Sequence, residues 1–142
     1  MFVIDSDYTM LVSPDDLDVL QSYDENVREN AEKTAVEMIK GYLRNRYDAD
    51  ALFDDVDEDD RHPMLIACVV DLVLYTLYSS LPGRMMPEIR QIRYDNVIAW
   101  LKEVQKGVVV PDFPTVDDDD EEDINNPLKW GSGTRTTDNT NY

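Results

Sequence analysis

The stretch "PMLIACVVDLVLYTLYSSL", residues 63–81, constrains the fold of this chain more than any other. It is apolar almost all round. A helix of that kind must be surrounded, either by protein or by lipid. Its unbroken apolar runs are too short for a membrane span, and Asp71 interrupts them. The stretch therefore predicts a central buried helix, opened by Pro63 and ~27 Å long for about 18 residues. The rest of the chain must supply amphipathic partners for it.

Two segments do so by their spacing. From Asp24 to Tyr47, the residues Val27, Ala31, Ala35, Met38, Tyr42 and Leu43 recur at steps of three or four and give one apolar face. Arg28, Glu29, Glu32, Lys33, Glu37 and Lys40 fall on the wet side. Gly41 lies within the pattern and is expected to let another helix come close. From Pro87 to Lys106, the residues Ile89, Ile92, Val97, Ile98, Leu101 and Val104 form a second inner face, with Gly107 as the stop. A shorter helix is expected over 13–21. There Ser13 caps, Pro14 takes the first position, and Asp15 and Asp16 suit the positive end of the dipole. Between the second and third helices, "YDADALFDDVDEDDRHP" reads as a linker with six acids between Asp54 and Asp60. The expected fold is all-α, a small bundle of about four helices, one short and three long.

Beyond Gly107 the pattern changes. "VVVPDFPTV" reads as an extended segment, because Pro111 and Pro114 exclude helix and valine favours an extended backbone. Seven consecutive acids follow, Asp117 to Asp123, and then Leu128, Trp130 and a polar end. The chain divides into a helical domain, 1–107, and an extended acidic C-terminal arm, 108–142. That arm reaches up to ~115 Å when extended, well beyond a body of this size. Its acids form a self-repelling spacer. Phe113, Leu128, Trp130, Arg135 and Tyr142 are its candidate partner-binding residues, with Leu128 and Trp130 as apolar anchors.

Charge sets the kind of partner. Of the 142 residues, 31 are acidic and 13 are Lys or Arg, a net charge of -18. Unaided binding to nucleic acid or to an anionic membrane face needs the opposite sign. The acidity instead suits solubility, a basic partner, or repulsion that holds subunits apart until assembly. The opening "MFVIDSDYTM" has no basic region and does not read as a signal peptide.

No catalytic or metal-binding pattern emerges. A calcium loop needs a glycine at its sixth position and an acid at its twelfth. Counting from Asp55 puts Asp60 and Ile66 there, and counting from Asp117 puts Glu122 and Leu128 there. The acids lie in a linker and a tail rather than on converging rigid elements. His62, beside Pro63 at a helix start, suits a cap. Cys68 has no basic neighbour in sequence and reads as an inert core thiol in a reducing compartment. No enzyme, metal or cofactor is expected. Asp71 is the most informative single residue, because a buried carboxylate must be paired or protonated. Its expected partners are Arg90 or Arg93 on the last helix, or a tyrosine hydroxyl, in a structural ion pair that fixes helix register. The aromatic residues Tyr75, Tyr78, Tyr94 and Trp100 read as core. A body this small hides only part of its apolar surface, and the surplus is expected to face another subunit.

At "RNRYD", "HPMLIACVVDLVLYTLY" and "IRQIRYDNVIAWLKEVQKG" the chain resembles small head-to-tail connector proteins of tailed bacteriophages, the adaptor or head-completion proteins of the Mu gp36-like kind. The resemblance covers about residues 8–110. It rests on the order of a short capped helix, a long helix ending in "YLRNRY", a helix opened by proline, and a last helix. It implies a homo-oligomeric ring, typically a dodecamer, at the neck of the virion and assembled in the host cytoplasm. The implied partners are the portal protein and the next tail or neck protein, with DNA passing through the channel without specific binding and no membrane involved. The other class considered is an acidic inhibitor that mimics DNA and blocks a DNA-binding enzyme. That class predicts acids spaced along one face, whereas these are concentrated in a linker and a tail.

Overall fold

A computed structural model describes residues 1–83 and 85–116. It is all-α. The helices are α1 (Asp5–Thr9), α2 (Pro14–Leu20), α3 (Glu25–Leu43), α4 (Ala49–Phe53), α5 (Pro63–Ser80) and α6 (Glu88–Lys106), with a short 3-10 turn at Glu58–Asp60. The four helices expected from sequence are α2, α3, α5 and α6. The two additions, α1 and α4, have five residues each, too few to show a helical period.

Local chemistry sets the ends. Ser13 Oγ accepts from the Asp16 backbone N–H at 3.1 Å, and Pro14 opens α2. Asp24 accepts from Asn26 N–H at 3.0 Å and starts α3. His62 Nδ1 accepts from Met64 N–H at 3.2 Å, directly before Pro63. At the far end of α6, Gly107 takes φ 81° and closes the helix. A Cβ there would lie 2.7 Å from the Arg46 guanidinium, so this position needs glycine for both conformation and space.

The core lies where α3, α5 and α6 pack on one another, with α1 against α5 and α4 against α3. α5 is the central helix: Leu65, Val69, Val73 and Leu74 are fully buried. By length and composition α5 could cross a membrane, but half of its residues are buried inside the body. Ile39 and Leu43 of α3 and Leu101 and Val104 of α6 complete the contact. Each buried aliphatic side chain contributes on the order of 1.5–3 kcal/mol of transfer free energy.

Five sequence expectations change. Glu32 and Lys40, expected on the wet side of α3, are buried, 2% and 6% exposed. The "linker" 47–63 is mostly structure: Tyr47, Ala49, Leu52 and Phe53 are buried, and Phe53 packs on Phe2 with ring centroids 4.6 Å apart. Only its acidic part, 54–60, is largely solvent-facing. Gly41 faces open space rather than a neighbouring helix: a Cβ at that position would meet nothing within 4 Å. Ile89 and Ile92 belong to the outer surface, 52% and 45% exposed, because the first turns of α6 present Arg90 and Arg93, not the isoleucines, to Asp71 of α5. Residues 108–116 are part of the body rather than the start of an arm. Asp48 N–H donates to Pro114 C=O at 2.8 Å, Tyr47 and Thr115 form an antiparallel bridge, and Val116 N–H donates to Arg46 C=O at 3.3 Å.

Candidate interaction surface and its polar supports

Three buried polar clusters brace the helices. In the first, Asp71 on α5 is 5% exposed and meets both arginines of α6. Arg93 Nε donates to Asp71 Oδ1 at 2.7 Å, and Arg90 Nη1 lies 3.8 Å from the same oxygen. The hydrogen bond to Asp71 pushes the Arg93 guanidinium further up, against a smaller opposing effect of burial. Beside it, Tyr75 stacks on Tyr94 with centroids 3.9 Å apart. Burial, reinforced by Asp71, pushes the Cys68 thiol up to about 12, so it stays protonated and unreactive.

The second cluster ties α1 to α3. Tyr8, fully buried, donates its hydroxyl proton to Glu32 Oε1 at 2.7 Å. Arg28 reaches Glu32 at 3.4 Å and Asp5 at 2.8 Å, with its guanidinium over the Tyr8 ring. Burial raises the Glu32 carboxyl, while the Tyr8 hydrogen bond and Arg28 oppose the rise. Burial and Glu32 together push the Tyr8 hydroxyl well up. A carboxyl raised in the folded state contributes stability below its unfolded pKa and loses it as pH rises through the folded value. The stability of Glu32→Gln relative to the parent chain should therefore improve as pH rises from acid to neutral. Urea unfolding at several pH values checks this, and a difference that stays constant with pH would overturn it.

The third cluster fixes the segment after α3. Lys40 Nζ lies 3.0 Å from Asp50 and 2.9 Å from Asp54. Burial lowers the Lys40 ammonium, but the hydrogen bonds it donates to Asp54 and Asp50 outweigh this and the net shift is upward. Nearby, "RNRYD" carries a structural role that its charge conceals. Arg46 donates to Gln105 C=O at 3.2 Å and to Lys106 C=O at 3.3 Å, and Asn45 Nδ2 donates to Gln105 C=O at 3.3 Å. These side chains satisfy the terminal carbonyls of α6. Tyr47 is core, and Asp48 accepts from Ala51 N–H at 3.1 Å to start α4.

The candidate site residues fall into two groups. Asp71, Arg90 and Arg93 are brought together as described. Phe113 is turned inward: it is buried against Tyr47, His62 and Trp100, with ring centroids at 5.5, 4.8 and 6.3 Å. A ring in that position braces the chain's own body instead of reaching for a partner. Leu128, Trp130, Arg135 and Tyr142 lie outside the described residues. Among the described residues no cluster of His, Cys, Asp and Glu could hold a metal ion.

The surface also carries exposed apolar side chains. Met85 is 90% exposed and lies just before α6, whose Ile89 and Ile92 are exposed one helical turn apart. Met64 and Met10 expose further apolar surface alongside α5 and α1. Sequence reasoning assigned the two isoleucines to the core, because helical spacing identifies apolar positions but not which side of a helix its neighbours cover.

A helical body braced by ion pairs, with apolar side chains left on its outside, defines a small all-α fold. The family model described as "Bacteriophage Mu, Gp36" matches residues 4–127, and the chain belongs to that phage family. Membership points to a structural component of the phage particle. Neither a curated protein nor a solved structure matches the chain.

Proposed function

We propose that the protein is a connector subunit that forms a ring, a dodecamer by family resemblance, beneath the portal at the head-to-tail interface. In this reading its partners are further copies of itself, the portal protein and the next tail or neck protein. DNA passes through the ring without specific binding. The protein does no catalysis and needs no cofactor.

The observation that carries the reading, within a phage family, is the exposed ledge of Met85, Ile89 and Ile92 on an otherwise acidic surface. Such a ledge is apolar area that a neighbouring subunit would cover. The net charge of -18 supports it from another side. A channel lined by acids lets DNA slide, since it offers phosphates no counter-charge.

Mass measurement of the purified protein, alone and mixed with the portal protein, tests the reading. A chain that stays monomeric and ignores the portal would count decisively against it. Ile92→Asp should leave helix content unchanged and weaken self-association at least tenfold, about 1.4 kcal/mol. Unchanged association of that variant would remove the ledge from the interface.

A further inference from the structure

The helices α3 and α6, each 19 residues and ~28 Å long, pack on one another and end together, because Asn45 and Arg46 hold the last carbonyls of α6. Both therefore start at the opposite end of the body, where α2 leads into α3. The two ends expose apolar side chains, and they differ in charge.

At the starting end, Met85 and Pro87 share a cleft with Asp16 and Leu20 of α2 and with Tyr78. Residues 1–27 hold seven acids and no Lys or Arg. Five of the seven, Asp15, Asp16, Asp18, Asp24 and Glu25, are exposed in α2 and at the start of α3. Among them stands Tyr23, 78% exposed, while every other aromatic ring among the described residues is at least partly covered. Its turn closes α2 through the backbone alone. Tyr23 N–H donates to Asp18 C=O at 2.8 Å and Ser22 N–H to Val19 C=O at 3.0 Å. Ser22 and Tyr23 both take left-handed backbone, φ 58° and 57°, which is disfavoured for residues with a Cβ. The fold thus holds a ring outside on a fixed base and does not pack it.

At the finishing end the exposed charge is basic. Five Lys and Arg residues are exposed among the described residues, and four of them, Arg44, Arg46, Lys102 and Lys106, gather where α3 and α6 stop. Arg44 meets Glu37 at 3.5 Å, but neither lysine has an ion-pair partner among the described residues. Lys102 and Lys106 are one turn apart on the same side of α6. Val108 and Val110, 70% and 74% exposed, follow directly. The acidic stretch 54–60 is tied instead to the N-terminal segment, where Phe53 packs on Phe2 and Arg61 holds Asp7.

We propose that these two surfaces meet, the starting end of one copy packing on the finishing end of the next. Tyr23, Met85 and Ile89 lie against Val108 and Val110, and the acids of α2 face Arg44, Lys102 and Lys106. Apolar contact holds the pair, and opposite charge sets its orientation. Two different patches make a heterologous contact, the kind that a closed ring repeats. The inference rests on the ring reading and names the surfaces that its subunits share.

Sedimentation of the full-length protein over a range of concentrations tests it. Asp15→Lys with Asp16→Lys makes the starting end basic, and Lys102→Glu with Lys106→Glu makes the finishing end acidic. All four positions are exposed, so circular dichroism should show unchanged helix content. Each double variant alone should associate at least tenfold more weakly than the parent. An equimolar mixture of the two should recover association to within about threefold, because each reversed end then meets its complement on the other variant. Tyr23→Gly provides a readout free of charge changes. Glycine suits the left-handed backbone, so the urea midpoint should not fall, while association weakens several-fold. A parent chain that associates, with double variants that associate equally well or a mixture that recovers nothing, would overturn this contact and leave the ring reading standing. Tyr23→Gly associating as tightly as the parent would overturn it too. A parent that stays monomeric at every concentration would overturn both.

Discussion

Phe113→Ala is expected to lower the unfolding free energy by about 3 kcal/mol, the low end for a buried aromatic truncated to alanine. The ring is 6% exposed and closes one end of the body, meeting Tyr47 after α3, His62 at the start of α5 and Trp100 of α6. Its removal would leave a void bordered by three aromatic rings and loosen the backbone bonds of Pro114 and Val116 beside it. A residue on a free arm would behave differently: alanine would leave stability within ~0.5 kcal/mol, as surface substitutions do. Urea unfolding followed by circular dichroism separates the two. A midpoint unchanged by Phe113→Ala would return residues 108–116 to the arm.

The second large effect is expected at Asp71. Asp71→Ala removes the only acidic partner of Arg90 among the described residues and leaves a buried guanidinium without compensation, at a cost of about 3 kcal/mol. The value is taken at the low end because the Arg93 side chain is 37% exposed and can turn to water. Asp71→Asn keeps an acceptor for Arg93 and should cost less, about 1 kcal/mol. The double variant Asp71→Leu with Arg90→Leu should recover most of the loss, since an apolar pair of fitting volume costs no desolvation of charge. The same denaturation series reads all three. If the double variant is no better than Asp71→Ala, the cost lies in packing or in Arg93 rather than in the stranded Arg90.

These two residues illustrate what could be read from the sequence. Asp71 stood out because it interrupts an apolar helix, and the demand that a buried charge be paired pointed to the arginines of α6. Phe113 gave no such signal. It sits between two prolines in a segment whose local chemistry says only that it is extended, and nothing nearby in sequence says what the extended chain lies on. The same holds for α1 and α4. Five residues are too few for a period, and their order comes from Tyr8 reaching Glu32 and from Asp50, beside Asp54, reaching Lys40.

The helices α2, α3, α5 and α6, their caps at Ser13 and His62, the stop at Gly107 and the all-α class were determined by the sequence alone. They depend on interactions between residues a few positions apart, which the order of side chains states directly. The tertiary structure decided which stripe residues are covered, so that Ile89 and Ile92 lie outside while Phe113 lies inside. It also decided that, within "RNRYD", Asn45 and Arg46 cap the end of α6 while Asp48 starts α4. Those outcomes turn on contacts between residues far apart in the chain. Such contacts are set by where rigid helices end relative to one another, a quantity that no local pattern contains.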